Sequence, residues 1–289
     1  MNLNLTQTKL CKTPTGPLEY TDSGSGEPLL ALHGAMGGHD QSAILAQTIA
    51  PESFRILAVS RPGYLGTPIS TGKTPEEQAD CYAALLDHLG IEKVTVAAIS
   101  GGGYSALYFA HRHPGRCKAL ILCSTTGGPM EQKPPRSFKL KTVLLRFDFL
   151  TRRMKQKVAN NLESTLKRSI RFPEVRQALL KDKIAMDLYR KLTLGMFDGV
   201  RNRLEGTFND ILITQKQTYP LSELKPPTLI IHGDSDSLLP LENHGAKLAL
   251  KIPNATIYVA PKGEHVTLFT HRTMIRERVA DFLHTQGLC

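Results

Sequence analysis

Ser100 stands where an apolar run gives way to a helical pattern, a place where a nucleophile is easily exposed. The run Lys93–Ile99 predicts a buried strand, and the following helix is predicted to begin at Gly101. A side chain on so sharp a turn needs small residues two positions away on either side, and Ala98 and Gly102 meet that need. The first N–H groups of the helix would favour an oxyanion that develops beside the serine. The spacing therefore predicts a serine nucleophile.

Two other interpretations of this turn stay open from its residues alone. Ser100 could simply cap the helix that follows it. A glycine-rich turn after a strand could also hold a phosphate, but the run Gly101–Gly103 lacks both the G-x-G-x-x-G spacing and a P-loop lysine.

Two acidic residues, Asp234 and Asp236, follow a second apolar run, Thr228–His232. An acid in a loop after a parallel strand can reach the carboxyl edge of the sheet and orient a histidine there. The spacing alone does not decide between the two acids, and an ordinary turn is the alternative for both.

His265 follows a third predicted strand, Thr256–Ala260, and could meet Ser100 in space and accept its proton. The chain has 10 histidines, so His265 alone is weak evidence. The order along the chain favours it, because serine, acid and histidine each follow a strand in the order of one known type of triad.

The elements that would position these residues alternate between apolar strands and helices. The best-marked helix is Thr74–Leu89, with Thr74 as its N-cap, Pro75 in its first turn and Gly90 after its end. Strands separated by helices predict right-handed βαβ units and a parallel sheet. The other predicted elements are strands at Pro28–His33, Arg55–Ser60 and Lys118–Ser124 and helices at Gln41–Ala50, Gly101–His111, Leu241–Lys251 and Thr273–His284.

Together these motifs resemble the α/β-hydrolase superfamily over nearly the whole chain outside a central insertion. In that family the acid follows a strand in a pattern like H-G-x-x-D, which selects Asp236, and the histidine has a G-x-H setting, matched by Gly263-Glu264-His265. The resemblance implies an α/β fold with a mostly parallel eight-stranded sheet flanked by helices. It also implies Ser100 as nucleophile, His265 as base and Asp236 as the orienting acid.

The resemblance further implies an oxyanion hole. A loop that begins His-Gly supplies one donor in the family, so the hole would consist of the backbone N–H groups of Ala35 and Gly101. The turn Ser60–Tyr64 resembles the family's D-x-R-P-G-Y/H turn with serine in place of aspartate, and we interpret it as structural. The candidates for lining the substrate pocket are His33, Gly34, Met36 and Ile99.

The net charge of +10 is concentrated in one block of the chain. Residues 131–220 contain 20 lysines and arginines against 9 acidic residues, whereas the rest contains 16 against 17. This block shows helical patterning and no convincing strand, and its position resembles that of the lid in the same family. We therefore predict a core of residues 1–126 and 221–289 and a basic helical lid of residues 127–220, whose apolar side chains would suit an apolar substrate.

The basic charge has a plain interpretation, which we favour, and a functional one. The plain one is a solvated helical face, and the functional one is contact with an anionic membrane surface or an anionic substrate. Nucleic acid is disfavoured as a partner, because the basic residues form no known module and have few aromatic residues among them.

We expect a serine hydrolase that cleaves a small or medium apolar carboxylic ester, with lactones, thioesters and monoacyl lipids as close variants. A C–C bond hydrolase or an acyltransferase with the same triad is the first alternative. A non-catalytic receptor of the same fold is less favoured, because all three triad residues are present. Such a triad needs neither a metal nor an organic cofactor, and none is predicted.

The remaining features concern location. The chain contains no apolar stretch of the roughly 18 residues that a membrane span needs, and its first residues lack the apolar core of a secretory signal. Its 5 cysteines show no CxxC spacing. These features favour a cytoplasmic protein with reduced thiols, and they leave the oligomeric state open.

Overall fold

The computed structural model describes residues 7–130, 147–216 and 218–288. Its centre is one 8-stranded sheet with the strand order β1-β2-β4-β3-β5-β6-β7-β8. The strands are β1 Lys9–Thr13, β2 Gly16–Ser23, β3 Pro28–Leu32, β4 Arg55–Val59, β5 Val94–Ile99, β6 Cys117–Cys123, β7 Thr228–Gly233 and β8 Ala255–Ala260. The prediction of a mostly parallel eight-stranded sheet is confirmed.

The parallel part of the sheet runs from β4 to β8, and this arrangement places the candidate residues. β3 pairs in parallel with β4 and β5, and β5, β6, β7 and β8 continue the parallel series. The carboxyl ends of these strands meet at one edge. Ser100 follows β5, Asp236 follows β7 and His265 follows β8, so all three reach that edge.

The first two strands were not predicted from their residues. β1 and β2 form an antiparallel hairpin, and β2 pairs antiparallel with β4. β1 lies at the edge of the sheet, and only Cys11 and Thr13 of its five residues are buried. So short a strand, with lysines at two exposed positions, has little apolar signal to set it apart from a loop.

Helices lie on both sides of the sheet. In chain order they are α1 His39–Ile49, α2 Pro75–His88, α3 Gly103–Arg112, α4 Asp148–Asn160, α5 Leu162–Ser169, α6 Pro173–Lys181, α7 Lys183–Gly195, α8 Arg201–Lys216, α9 Gly245–Lys251, α10 Thr267–Thr270 and α11 Arg272–Thr285. The predicted boundaries of α2 are close to the observed ones, because Thr74 and Glu77 form a reciprocal capping box at the start of the helix.

The strands alternate their side chains between two apolar layers. Leu30 and Leu32 of β3 join the cluster that contains α2 and α3, whereas Leu29 and Ala31 join the cluster that contains α1 and α11. Both faces of the central strands are therefore buried, as expected for parallel strands between helices. This double burial makes the sheet a rigid base for the loops at its carboxyl edge.

Helices α4 to α8 form a segment between β6 and β7, which we call the inter-strand helices (residues 148–216). Their helical character agrees with the prediction for this block, of which residues 131–146 and 217 lie outside the described part. Thr151 is the buried residue of helix α4, and the basic side chains of this helix reach solvent. The assignment of residues 127–220 as a lid stays a prediction. In the described ranges no helix is long and apolar enough to cross a membrane.

Candidate active site

The turn at Ser100 has the backbone conformation that the sequence suggested. Ser100 has a φ of 52°, in the left-handed region that a non-glycine residue occupies only when its surroundings hold it there. Gly102 allows this tight turn, because a Cβ at that position would lie 2.6 Å from the carbonyl oxygens of both Leu32 and His33. The strained turn presents the serine hydroxyl at the edge of the sheet.

The three predicted triad side chains are in hydrogen-bond contact. His265 Nε2 lies 3.0 Å from Ser100 Oγ, and His265 Nδ1 lies 2.8 Å from Asp236 Oδ2. Because Nδ1 faces a carboxylate, it carries the proton in the neutral ring, and Nε2 is free to accept the proton of the serine. The His265 side chain is 26% exposed and that of Asp236 is 0% exposed. The base can therefore meet a substrate, whereas the acid is shielded from water.

The Asp236 carboxylate is fixed at both oxygens. Its Oδ1 accepts hydrogen bonds from the N–H groups of Leu238 and Leu239, each 2.9 Å long, while Oδ2 faces His265. Burial alone would raise the pKa of Asp236, but the hydrogen bond and charge of His265 outweigh burial and lower it. The acid therefore stays ionised. Asp234, the other candidate, instead accepts a hydrogen bond from Ser235 Oγ at 2.8 Å.

His232 lies behind the acid without competing for it. Its Nε2 bonds to the carbonyl oxygen of Leu239 at 2.7 Å and lies 3.8 Å from Asp236 Oδ2. Burial lowers the pKa of His232, which keeps the ring neutral. Asp236 thus has one basic partner that can become charged, and that partner is His265.

The loop after β3 passes directly beside the serine. A Cβ on Gly34 would lie 3.0 Å from Ser100 Cβ, and a Cβ on Gly101 would lie 3.6 Å from the backbone N of Ala35. Ala35 therefore lies beside Gly101, and the assignment of their N–H groups as an oxyanion hole stays a prediction. Ala35 is exposed and Gly101 is buried.

The other predicted pocket residues divide into two groups. Met36 and Ile99 are partly exposed next to the serine turn and the loop after β3. His33 is fully buried: its Nδ1 contacts the carbonyl oxygen of Gly34 at 2.6 Å, and its Nε2 accepts the N–H of Arg61 at 3.0 Å. The His33 ring therefore supports the loop from below rather than lining an open pocket.

A buried ion pair lies beneath Gly101, and no motif of the sequence predicts it. The Arg61 guanidinium pairs with the carboxylate of Asp210, and Arg61 Nε also donates to His33 O at 2.8 Å. The hydroxyls of Tyr64 and Tyr104 each donate to Asp210, both at 2.6 Å. The turn of Arg61, interpreted as structural, thus joins α8 to the loop after β3.

The protonation states of this cluster are fixed. Burial alone would lower the pKa of Arg61, but the Asp210 charge beside it raises the pKa well above the usual value. Burial, aided by the same carboxylate, raises the pKa of Tyr64 and Tyr104. Arg61 therefore stays charged, and both tyrosines stay protonated.

Arg171 links the loops of the acid and the base. It lies between α5 and α6; its N–H and Nε donate to Glu264 Oε1 at 2.9 and 2.8 Å. Its Nη2 donates to the carbonyl oxygen of Ser235 at 2.9 Å. Since Glu264 precedes His265 and Ser235 precedes Asp236, one arginine of the inter-strand helices connects both loops.

The sequence of α8 gives a misleading signal for these supports. Its buried face includes a polar stripe at helical spacing, formed by Arg203, Thr207, Asp210 and Thr214. A stripe of this kind normally indicates a solvated face. Here the opposite holds, since Asp210 is 3% exposed while the apolar Leu212 is 54% exposed.

Comparison with known proteins identifies the family. The family model described as alpha/beta hydrolase fold matches residues 27–272. The chain therefore belongs to the α/β-hydrolase fold family, and it is a hydrolase by that membership. Among its described residues, no cluster of three or more His, Cys, Asp or Glu could hold a metal ion.

Several individual proteins are similar to this chain. A 2-hydroxy-6-oxononadienedioate/2-hydroxy-6-oxononatrienedioate hydrolase of Burkholderia vietnamiensis is 28% identical over 284 residues, covering 92% of this chain and 90% of the relative. A solved alpha/beta hydrolase fold protein from Nakamurella multipartita has a TM-score of 0.86 at 28% identity, covering 97% of this chain and all of that one. The enol-lactonase of Burkholderia xenovorans LB400, with a TM-score of 0.70 at 17% identity and 96% coverage of this chain, shares the fold.

Proposed function

We propose that this protein is a serine hydrolase that cleaves a small or medium apolar carboxylic ester through an acyl-enzyme on Ser100. The observation that carries the proposal is the continuous hydrogen-bonded chain from Asp236 through His265 to Ser100 Oγ. A serine hydroxyl is a weak nucleophile until a positioned base accepts its proton, and this geometry supplies that base.

The reaction proceeds in two halves. Ser100 Oγ bonds to the ester carbon while His265 Nε2 takes its proton, and the resulting oxyanion lies between the N–H groups of Ala35 and Gly101. The bond to the alcohol oxygen then breaks, and His265 passes the proton to that oxygen. Water next attacks the acyl carbon as His265 accepts a proton from it. The bond to Oγ breaks, and the proton returns to Ser100 as the acid is released.

The charges around the site favour an uncharged substrate. Among the described residues, three arginines contact the loops of the site, and each has a carboxylate partner: Arg61 pairs with Asp210, Arg203 with Asp40 and Arg171 with Glu264. Paired arginines offer little attraction to a substrate carboxylate, because their charge is already balanced. This pairing supports a neutral ester over a dicarboxylate.

A second candidate is hydrolysis of a C–C bond. Relatives at 26–28% identity over 92% of this chain are named dienedioate hydrolases, and that name denotes a dicarboxylate substrate. The same serine could attack a ketone carbonyl in such a substrate. A shared fold and a similar triad do not by themselves separate the two reactions.

The deciding experiment compares kcat/KM for the two substrate classes. One set comprises p-nitrophenyl acetate, butyrate and decanoate, and the other is a 2-hydroxy-6-oxo dienedioate whose conjugated chromophore disappears on cleavage. We expect the best ester to be cleaved at least ~100-fold more efficiently, with Ser100→Ala as the control for both reactions. A preference of the same size for the dienedioate would replace the ester assignment by the C–C one.

A further inference from the structure

Helix α8 holds the loop after β3 through Met36. The N–H of Met36 donates to Thr207 Oγ1 at 3.0 Å, and Arg203 Nη1 donates to the carbonyl oxygen of Met36 at a longer 3.4 Å. Arg203 is itself held by Asp40, with bonds of 3.1 and 2.8 Å. Residues on consecutive turns of one helix therefore contact both backbone groups of Met36.

The Thr207 hydroxyl is oriented for this contact. It donates its proton to Arg203 O at 2.8 Å within the helix, which leaves its lone pairs for the N–H of Met36. Thr207 is 4% exposed. Without this hydroxyl, the Met36 N–H would lose its hydrogen-bond partner in the protein, and such a loss is costly wherever water does not replace the partner.

Met36 is also the strained point of the loop. Its φ of 59° lies in the left-handed region, which costs a non-glycine residue on the order of 1–3 kcal/mol and persists only where neighbours enforce it. The residue before it is Ala35, whose backbone N lies 3.6 Å from the position that a Cβ on Gly101 would occupy. The Ala35 N–H belongs to the Gly34–Ala35 peptide, one residue before the peptide that Met36 φ turns. Relaxation at Met36 would therefore displace this donor by moving the Ala35 backbone that joins the two peptides.

On the basis of the serine-hydrolase function proposed above, we propose that Thr207 is a positioning residue of the oxyanion hole, fixing the Ala35 donor through Met36. An oxyanion donor must lie within about 2.7–3.1 Å of the developing charge. A displacement of ~1 Å in a supporting group costs up to about 100-fold in rate. Through Thr207, the inter-strand helices thus contribute to catalysis without contacting the substrate.

The test uses three variants of one helix. Thr207→Val removes the hydroxyl at nearly constant shape, and Thr207→Ser restores it. Thr214→Val is the matched control, because Thr214 is equally buried, at 4% exposure, and its hydroxyl donates to Asp210 O and Ile211 O of the same helix.

Three measurements are made on each variant: kcat and KM for p-nitrophenyl butyrate, the rate of Ser100 labelling by a fluorophosphonate, and amide hydrogen exchange of the peptide covering residues 33–40. For Thr207→Val we expect kcat and the labelling rate to fall roughly 10- to 100-fold. KM should change less than about threefold, and exchange should become faster. Thr207→Ser and Thr214→Val should stay within about threefold of wild type.

Each other outcome is decisive. A Thr207→Val enzyme with kcat within threefold of wild type overturns the positioning role, and so does an equal loss in Thr214→Val, which would indicate general packing of the helix. A wild-type protein that neither hydrolyses esters nor reacts with the probe refutes the proposed function. Faster exchange in Thr207→Val would then show that the loop contact is structural only, which also removes the positioning role.

Discussion

Asp236 and Asp210 are both buried carboxylates with a basic partner from a distant part of the chain, yet the two pairs differ in what the partner can do. Asp236 faces His265, an imidazole that can gain and lose a proton and is partly exposed. Asp210 faces Arg61, which is fully buried and permanently charged, and two tyrosine hydroxyls complete its shell. The first pair is suited to moving a proton, and the second is suited to holding two parts of the protein together.

An aspartate can therefore have a catalytic or a structural role, depending on its basic partner. A carboxylate beside a histidine forms a catalytic element when a nucleophile lies on the far side of the ring. A carboxylate beside a buried arginine forms a fixed joint, because neither partner changes charge near neutral pH. Substitutions at the two aspartates should therefore affect different observables.

Removal of the nucleophile should have the largest effect. Ser100→Ala is expected to lower kcat by at least ~1000-fold, and His265→Ala should be similarly severe, because the two act as a unit. Initial rates with p-nitrophenyl butyrate measure the loss. If the Ser100→Ala protein kept more than a tenth of wild-type activity, the reaction would have to use another nucleophile.

Asp236→Asn should lower kcat by roughly 100- to 1000-fold, because an asparagine can hold the ring but favours the wrong tautomer and cannot stabilise its charge. The matched variant is Asp234→Asn, two residues away, which should change kcat less than about threefold. The same ester assay compares them. The comparison with Asp210 breaks down if Asp234→Asn proves the more harmful of the two.

Asp210→Asn should lower the stability of the protein more than its activity. Breaking a buried pair leaves a charge without its partner, so we expect the free energy of unfolding to fall by about 3 kcal/mol. Urea denaturation measures this change. Asp187→Asn, in the exposed pair with Lys191, is the control and should cost less than about 0.5 kcal/mol. Equal losses in both variants would contradict the role assigned to Asp210.

The smallest predicted effect concerns pH. Burial lowers the pKa of His244 to about 4, below the value of about 6.5 for a free imidazole. Between these values the unfolded chain binds a proton that the native one does not, so stability declines as pH falls from about 6.5 to about 4.

His244→Asn should make this decline shallower by about 1 kcal/mol per pH unit. The asparagine Oδ1 can keep the hydrogen bond that Gly127 N–H donates to His244 Nδ1. Urea titrations at pH 5, 6, 7 and 8 measure the slope. An unchanged slope would mean that the other histidines whose pKa burial lowers, His33, His232 and His271, account for the whole effect.

The sequence was most informative where function follows directly from strand ends. Ser100 and His265 each follow an apolar run, and the carboxyl ends of parallel strands meet, so their convergence could be predicted. The choice of Asp236 over Asp234 needed the family pattern, because the positions of two residues in a loop do not determine where their side chains point.

The sequence was least informative about what supports those loops. Hydrophobic patterning assigns polar residues to the surface, but α8 buries Arg203, Thr207 and Asp210, whose partners are far away in the chain. A polar residue is buried in this way only when a complementary group meets it. That complement lies in tertiary structure, so the helix alone could not reveal it.

The ion pairs of Arg61, Arg171 and Arg203 have a consequence for engineering. Exchanging the region between β6 and β7 among relatives is an attractive way to alter specificity, yet in this protein the region contacts the loops that carry Asp236, His265 and the predicted oxyanion donor Ala35. A chimera that imports foreign helices would therefore need matching residues at positions 171, 203, 207 and 210. Without these residues, the chimera would keep its sheet but lose the arrangement of the loops at the carboxyl edge of the sheet.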